Sequence, residues 1–102
     1  MIVVRIVLQG EFGTGGKLAA SFSDSWKSMA DELGTRRRWR ILTDLSGQFD
    51  TVVQEIEVES LAEWEKLRLK MFEVAAFRES MAVMQEMVVS GRNELWTLEA
   101  EG

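Results

Sequence analysis

The stretch Arg36-Arg37-Arg38-Trp39-Arg40-Ile41-Leu42-Thr43-Asp44-Leu45-Ser46-Gly47-Gln48-Phe49-Asp50-Thr51-Val52-Val53-Gln54-Glu55-Ile56-Glu57-Val58 decides the fold. It reads as two strands joined by a turn. On the first run Trp39 and Ile41 share one face and Arg36, Arg38 and Arg40 the other; on the second, Val52, Ile56 and Val58 oppose Glu55 and Glu57. Asp44-Leu45-Ser46-Gly47 supplies turn chemistry, because Asp and Ser side chains bond nearby backbone and Gly accepts positive φ. If the apolar faces coincide, Arg38 and Arg40 fall on the same side as Glu55 and Glu57, and cross-strand ion pairs are expected.

Working outward, Ile2, Val4, Ile6 and Leu8 alternate with Val3, Arg5, Val7 and Gln9, the pattern of a central strand. The glycine-rich run Gly10 to Lys17 invites a phosphate-binding reading, but its spacing fails. Lys17 is followed by Leu18, so no hydroxyl stands where a Walker-type loop presents one to magnesium. A mobile connecting loop is the expectation. From Lys17 to Leu33, Leu18, Phe22, Trp26, Met29 and Leu33 recur at steps of four, four, three and four, which predicts an amphipathic helix closed by Gly34. Ser60-Leu61-Ala62-Glu63 has the form of a capping box, and Leu61, Trp64, Leu67 and Met71 follow as the inner stripe of a second helix. Its pattern resumes through Phe77, Met81, Met84 and Val88 after a kink or break near Val74 to Ala76. Gly91 is expected to end the helical region, and Glu94 to Glu99 to form a last strand with Trp96 and Leu98 on one face.

The predicted order is strand, helix, strand, strand, helix, strand in one domain spanning residues 1–102. That order gives an α+β, ferredoxin-like βαββαβ unit: a four-stranded antiparallel sheet with its helices on one face. The other face then lies bare in a single copy. It carries Val3, Arg5 and Val7 from the first strand, Arg38, Arg40 and Leu42 from the second, Phe49, Val53 and Glu55 around the third, and Leu95 from the last. Such a mixture of apolar and chargeable groups implies a partner, and a two-fold homodimer is the simplest. Arg38, Arg40, Val53, Glu55 and Leu95 are the expected dimer interface.

Composition narrows the chemistry. The chain has no Cys and no His, which removes thiol nucleophiles, thiolate metal sites and imidazole bases. A formal net charge of −5 argues against nucleic acid as a partner. Met1 to Val4 is followed at once by Arg5, so neither a signal peptide nor a membrane span is expected, and the cytoplasm is the default compartment. No cofactor and no metal are expected. Asp44, Asp50 and Glu55 lie close in sequence, but nothing in the pattern raises a carboxyl pKa or converges several oxygens on an ion.

Trp26, Trp39, Trp64 and Trp96, placed on inner helix faces or the apolar sheet face, can line a pocket for a flat ligand, or can simply be large core residues. Met81, Met84 and Met87 can form an adaptable wall or fill gaps. Asn93 can donate a hydrogen bond to a bound carbonyl or finish a turn. The Arg36 to Arg40 cluster can bind an anion or pair with Glu55 and Glu57.

The segments Arg40 to Asp44, Gly47 to Glu55, Glu57 to Glu65 and Ser90 to Trp96 resemble NIPSNAP-type domains of the dimeric α+β barrel superfamily, a likeness extending over residues 36–99. The resemblance implies a ferredoxin-like subunit, dimerisation of sheets face to face and a small apolar cavity between sheet and helices. Relatives include cofactor-independent oxygenases, isomerases and haem-binding enzymes. The axial His of the haem binders has no counterpart here. Two functions follow as expectations: a homodimeric binding or structural module that takes a small apolar molecule, or a cofactor-independent oxygenase or isomerase acting on a small aromatic or polyketide-like substrate.

Overall fold

A computed structural model describes residues 1–34 and 37–102; Arg36, the first arginine of the cluster, lies outside the described residues. The elements are β1 (Ile2–Gly10), α1 (Gly15–Leu33), β2 (Trp39–Thr43), β3 (Thr51–Val58), α2 (Leu61–Met71), α3 (Ala75–Met87) and β4 (Val88–Thr97). The strands form one antiparallel sheet in the order β2-β3-β1-β4. This is the ferredoxin-like arrangement with its second helix divided in two.

β1 is central because its alternation suits burial on both sides. Val4 and Leu8 are buried beneath the helices, and Val7 is buried on the opposite side too. The core has two parts. Trp26 and Met29 of α1 and Trp64, Leu67 and Met71 of α2 pack with Val4, Ile56 and Val58, while Leu18 and Phe22 cover Leu8 and Val52. α1 and α3 meet through the buried hydroxyls of Ser25 and Ser80, 3.4 Å apart, two small residues that let the helices lie close.

The helix signals act as expected. Gly34 ends α1 in the left-handed conformation at φ 61°. Ser60 Oγ accepts from the Glu63 N–H at 3.2 Å, and Glu63 returns a carboxylate oxygen to the Glu59 N–H at 2.8 Å. That backbone bond holds the Glu63 carboxyl below its ordinary range; burial opposes it, and Arg37 adds to the lowering.

Two boundaries differ from the expectation. The kink is a complete break, in which Val74 adopts extended backbone (φ −92°, ψ 122°) and plugs its side chain into the core before α3 begins. β4 starts at Val88, directly after α3, so Gly91 is not a helix terminator. It stands in the ladder opposite Leu8, where a Cβ would come 2.7 Å from Leu8 Cδ2. The register slips between Gln9 and Gly10, with Gln9 opposite Ser90 and Gly10 opposite Val88, leaving Val89 as the extra residue of a bulge.

Candidate functional site

A cleft of about 200 Å³ opens on the helix-facing side, at the joint between α2 and α3. Trp26 of α1 and Trp64 of α2 stand in its walls, Phe72 comes from the helix break, and Phe77, Met81 and Met84 from α3. Its floor is the row Gln54, Ile6, Asn93, because Ile6 of β1 sits opposite both the others in the sheet register. Gln54 is buried, and its Oε1 accepts from the Trp26 indole N–H at 2.8 Å. Trp39 does not line the cleft. It stacks on Trp26, with ring centroids 6.5 Å apart and planes at 19°. Arg68 alone among the lining residues carries a charge, its guanidinium 6.0 Å from the Trp64 ring centre.

On the other side of the sheet one cross-strand row joins all four strands: Arg40 of β2, Glu55 of β3, Arg5 of β1 and Glu94 of β4. The charges alternate along it. Arg40 pairs with Glu55; Arg5 lies 2.9 Å from Glu55 and 3.2 Å from Glu94. Arg92 closes on Glu94 at 2.7 Å and Arg38 approaches Glu57 at 3.6 Å. The hydrogen bond from Arg92, then that from the Trp96 indole, and the nearby charge of Arg92 and Arg5 hold the Glu94 carboxyl below its ordinary range. Arg5 Nε is close to Glu55 but misaligned for a hydrogen bond, so the contact is ionic rather than directional. Beside the charge row runs an apolar one, Leu42, Val53 and Val7.

No family model matches the sequence, and no curated protein is similar enough to match it. Solved structures do match. An uncharacterised NIPSNAP domain protein from Burkholderia xenovorans superposes with a TM-score of 0.78 at 13% identity, over 98% of this chain and 96% of that one. The fold is that of the NIPSNAP domain proteins. A NIPSNAP family protein from Agrobacterium tumefaciens gives 0.77 at 12% identity over 94% and 90% of the two chains. SnoaB, a cofactor-independent oxygenase from Streptomyces nogalater, gives 0.67 at 9% identity over 98% and 94%.

Within this NIPSNAP-like fold, two expected placements exchange faces. Leu95 is opposite Val4 and so lies on the helix-facing side, whereas Trp96 is opposite Val3 on the open side, half exposed, with its indole N–H on Glu94 at 3.1 Å. Trp96 is therefore no part of the cleft, and Leu95 no part of the open face. The parity of β4 is set by Glu94 meeting Arg5, a pairing that the apolar alternation of residues 94–99 does not reveal. Trp26, Trp64, Met81, Met84 and Asn93 are brought together; Arg38, Arg40, Val53 and Glu55 share the open face. Gln54 was not singled out in the sequence, and Arg5 was placed on the open face without its partners Glu55 and Glu94. The available signals were a lone amide in an otherwise apolar alternation and a lone arginine in a β-branched run.

The glycine-rich loop is tied rather than loose. The Asp50 carboxylate accepts from the Gly13 and Gly15 N–H groups, both at 2.9 Å, and the Asp50 carbonyl accepts from the Gly10 N–H at 2.9 Å. The chain thus places its own carboxylate where a bound anion would go. Asp50 adopts φ 61° to do so. Asp44 is likewise occupied, by the Thr51 N–H at 3.1 Å. Among the described residues no three acids converge as a metal site, and no helix is long and apolar enough to cross a membrane.

Proposed function

We propose that this chain is a homodimeric binding module, docking its open sheet face on a second copy and holding a small apolar molecule in the cleft between sheet and helices. The observation that carries the dimer is the alternating charge row. Reading from β2 to β4 it runs positive, negative, positive, negative. Turned about a two-fold axis parallel to the strands, the row reverses, so Arg40 faces Glu94 and Glu55 faces Arg5 of the second copy. An axis along the row would instead set like charges together. Self-complementarity of this kind is what an isologous interface requires. The apolar row Leu42, Val53 and Val7 supplies area to bury beside it.

Light scattering behind size exclusion, over a dilution series, tests the assembly. A two-chain mass that persists at micromolar concentration is expected, and a monomer there would refute the dimer. Titration with a small anion is the companion measurement, because arginines engaged in the row are expected to bind none saturably.

A second reading, a cofactor-independent oxygenase or isomerase acting on a small aromatic molecule, is favoured by the two carboxamides, Gln54 and Asn93, on the cleft floor. Carboxamide N–H groups can stabilise an oxyanion that forms on a bound substrate. Oxygen uptake in the presence of an easily oxidised one-ring phenol would support it; a flat trace with protein shown to bind that phenol would remove the oxygenase.

A further inference from the structure

The amide of Gln54 has a settled orientation, and that orientation selects a ligand. An indole N–H can only donate, so the atom 2.8 Å from Trp26 Nε1 must be the Gln54 carbonyl oxygen and not its nitrogen. The two rings behind it resist rearrangement, since Trp26 is 3% exposed and is stacked on Trp39. What remains for the cleft is the NH₂ group. Among the described residues Gln54 Nε2 has no hydrogen-bond partner, although the side chain is 9% exposed and lines the cleft. An occupant that covers this NH₂ shuts it off from water and must supply an acceptor in exchange, because a donor left buried without one is costly.

Size and shape limit the occupant further. The cleft measures about 200 Å³. Drug-sized ligands fill roughly 300–1,000 Å³, whereas an engineered apolar cavity of about 150 Å³ takes benzene. One ring with a short substituent is the matching size. Trp26, Trp64 and Phe77 offer flat walls to such a ring.

We infer that the cleft binds a one-ring, flat, apolar molecule bearing a carbonyl-type oxygen, seated with that oxygen on the Gln54 NH₂, and that Gln54 is the residue that discriminates such molecules from plain hydrocarbons. This rests on the cleft being a ligand site at all. Trp26 and Trp39 act as positioning residues: Trp39 holds the indole, and the indole holds the amide.

Two probes of matched shape separate the ideas: acetophenone, which carries the acceptor, and ethylbenzene, which does not. Binding is followed in the native protein by the side-chain amide resonances of Gln54 and the indole N–H resonance of Trp26, and affinities are compared with those of Gln54→Met. The expected result is acetophenone binding about tenfold tighter than ethylbenzene, the value of one well-made hydrogen bond, with a Gln54 NH₂ proton moving further downfield for acetophenone than for ethylbenzene. In Gln54→Met the two probes should bind alike. Equal binding of both probes by the native protein, or a preference that survives in Gln54→Met, overturns the role of Gln54 while leaving a ligand cleft in place. Binding of neither probe overturns the cleft reading itself. Should Gln54→Met lose its near-ultraviolet circular dichroism, the amide resonances of the native protein decide alone: an NH₂ proton no further downfield with acetophenone than with ethylbenzene refutes the proposal.

Discussion

The two faces of the sheet are made from the same four strands, alternate residues going to each, yet they exclude water by different means. Towards the helices, Val4, Val52, Ile56 and Val58 are at most 2% exposed and are covered by the chain's own α1 and α2. On the open side, residues of the same strands hold one another by charge, Arg40 to Glu55 to Arg5 to Glu94, with the carboxylates largely covered by arginines that themselves stay partly exposed. The covered face fixes the fold through burial, which is strong and indifferent to partner. The open face fixes little within one copy, because exposed ion pairs are weak, and its order has value mainly when a second surface arrives.

Adjacent residues of β3 offer the sharpest way to break that contrast. Val52 points under the helices and Val53 to the open face. Val52→Asp should cost about 3–5 kcal/mol of folding stability, the price of an unpaired buried charge, read as a lowered urea midpoint at a fixed protein concentration. Val53→Asp should leave the fold nearly intact and raise the dissociation constant of the dimer by a comparable free energy, measured by sedimentation. Equal loss of folding stability in both variants would mean that the open face is no interface.

Glu55 comes next. Its side chain is 11% exposed and lies between two arginines, with Arg5 34% and Arg40 55% exposed. Glu55→Gln should weaken self-association by more than the ~1 kcal/mol ceiling of a surface pair and less than the ~3–5 kcal/mol of a fully buried one. A double-mutant cycle on the dimer should find stronger coupling of Glu55 to Arg5 than to Arg40. The pair Arg40→Met with Glu55→Leu should recover the dimer only partly, since Arg5 then keeps Glu94 alone. Full recovery would show that Arg5 plays no part.

Gly34 belongs to neither face and serves as a control. Gly34→Ala forces a Cβ into the left-handed region and should lower folding stability by about 1–2 kcal/mol, monitored by urea titration, with the dimer dissociation constant unmoved.

The smallest effect concerns pH. The Glu94 carboxyl is held below its ordinary value of 4.5 in the folded chain, so the unfolded chain binds the proton first as acid is added. The stability it contributes is complete above about pH 4.5 and is lost as pH falls from there through the folded value. Native protein should therefore melt above Glu94→Gln at pH 7, and the gap should close in strong acid. A gap that stays constant with pH would mean that the substitution acts through packing.

Much of this architecture was legible because its signals are local. The Arg38 to Arg40 and Glu55 to Glu57 alternations declare their faces within a few residues, Gly34 and Ser60 declare helix ends, and the order of elements then leaves one arrangement. The dimer, still a proposal, was suggested by the same patterns. What escaped reading depends on distant partners. The parity of β4 follows from Glu94 meeting Arg5, residues 89 positions apart, and Trp96 and Leu98 looked like a core stripe because an edge strand carries apolar groups on both sides. Gln54 looked like a polar interruption until Trp26 stood against it. The helix breaks between Met71 and Ala75 without Gly or Pro, and the burial of Val74 is what explains the break.

The carboxylate of Asp50 ties the start of α1 to a turn 35 to 37 residues further along the chain. In hydrogen-exchange terms the Gly13 and Gly15 amides are thereby placed under the control of the β2–β3 connection: they can reach solvent deuterium only when that connection lifts. These two amides should exchange in step with Gly10, whose N–H rests on the Asp50 carbonyl, as one cooperative opening unit. The first loop of the molecule thus has no independent lifetime of its own.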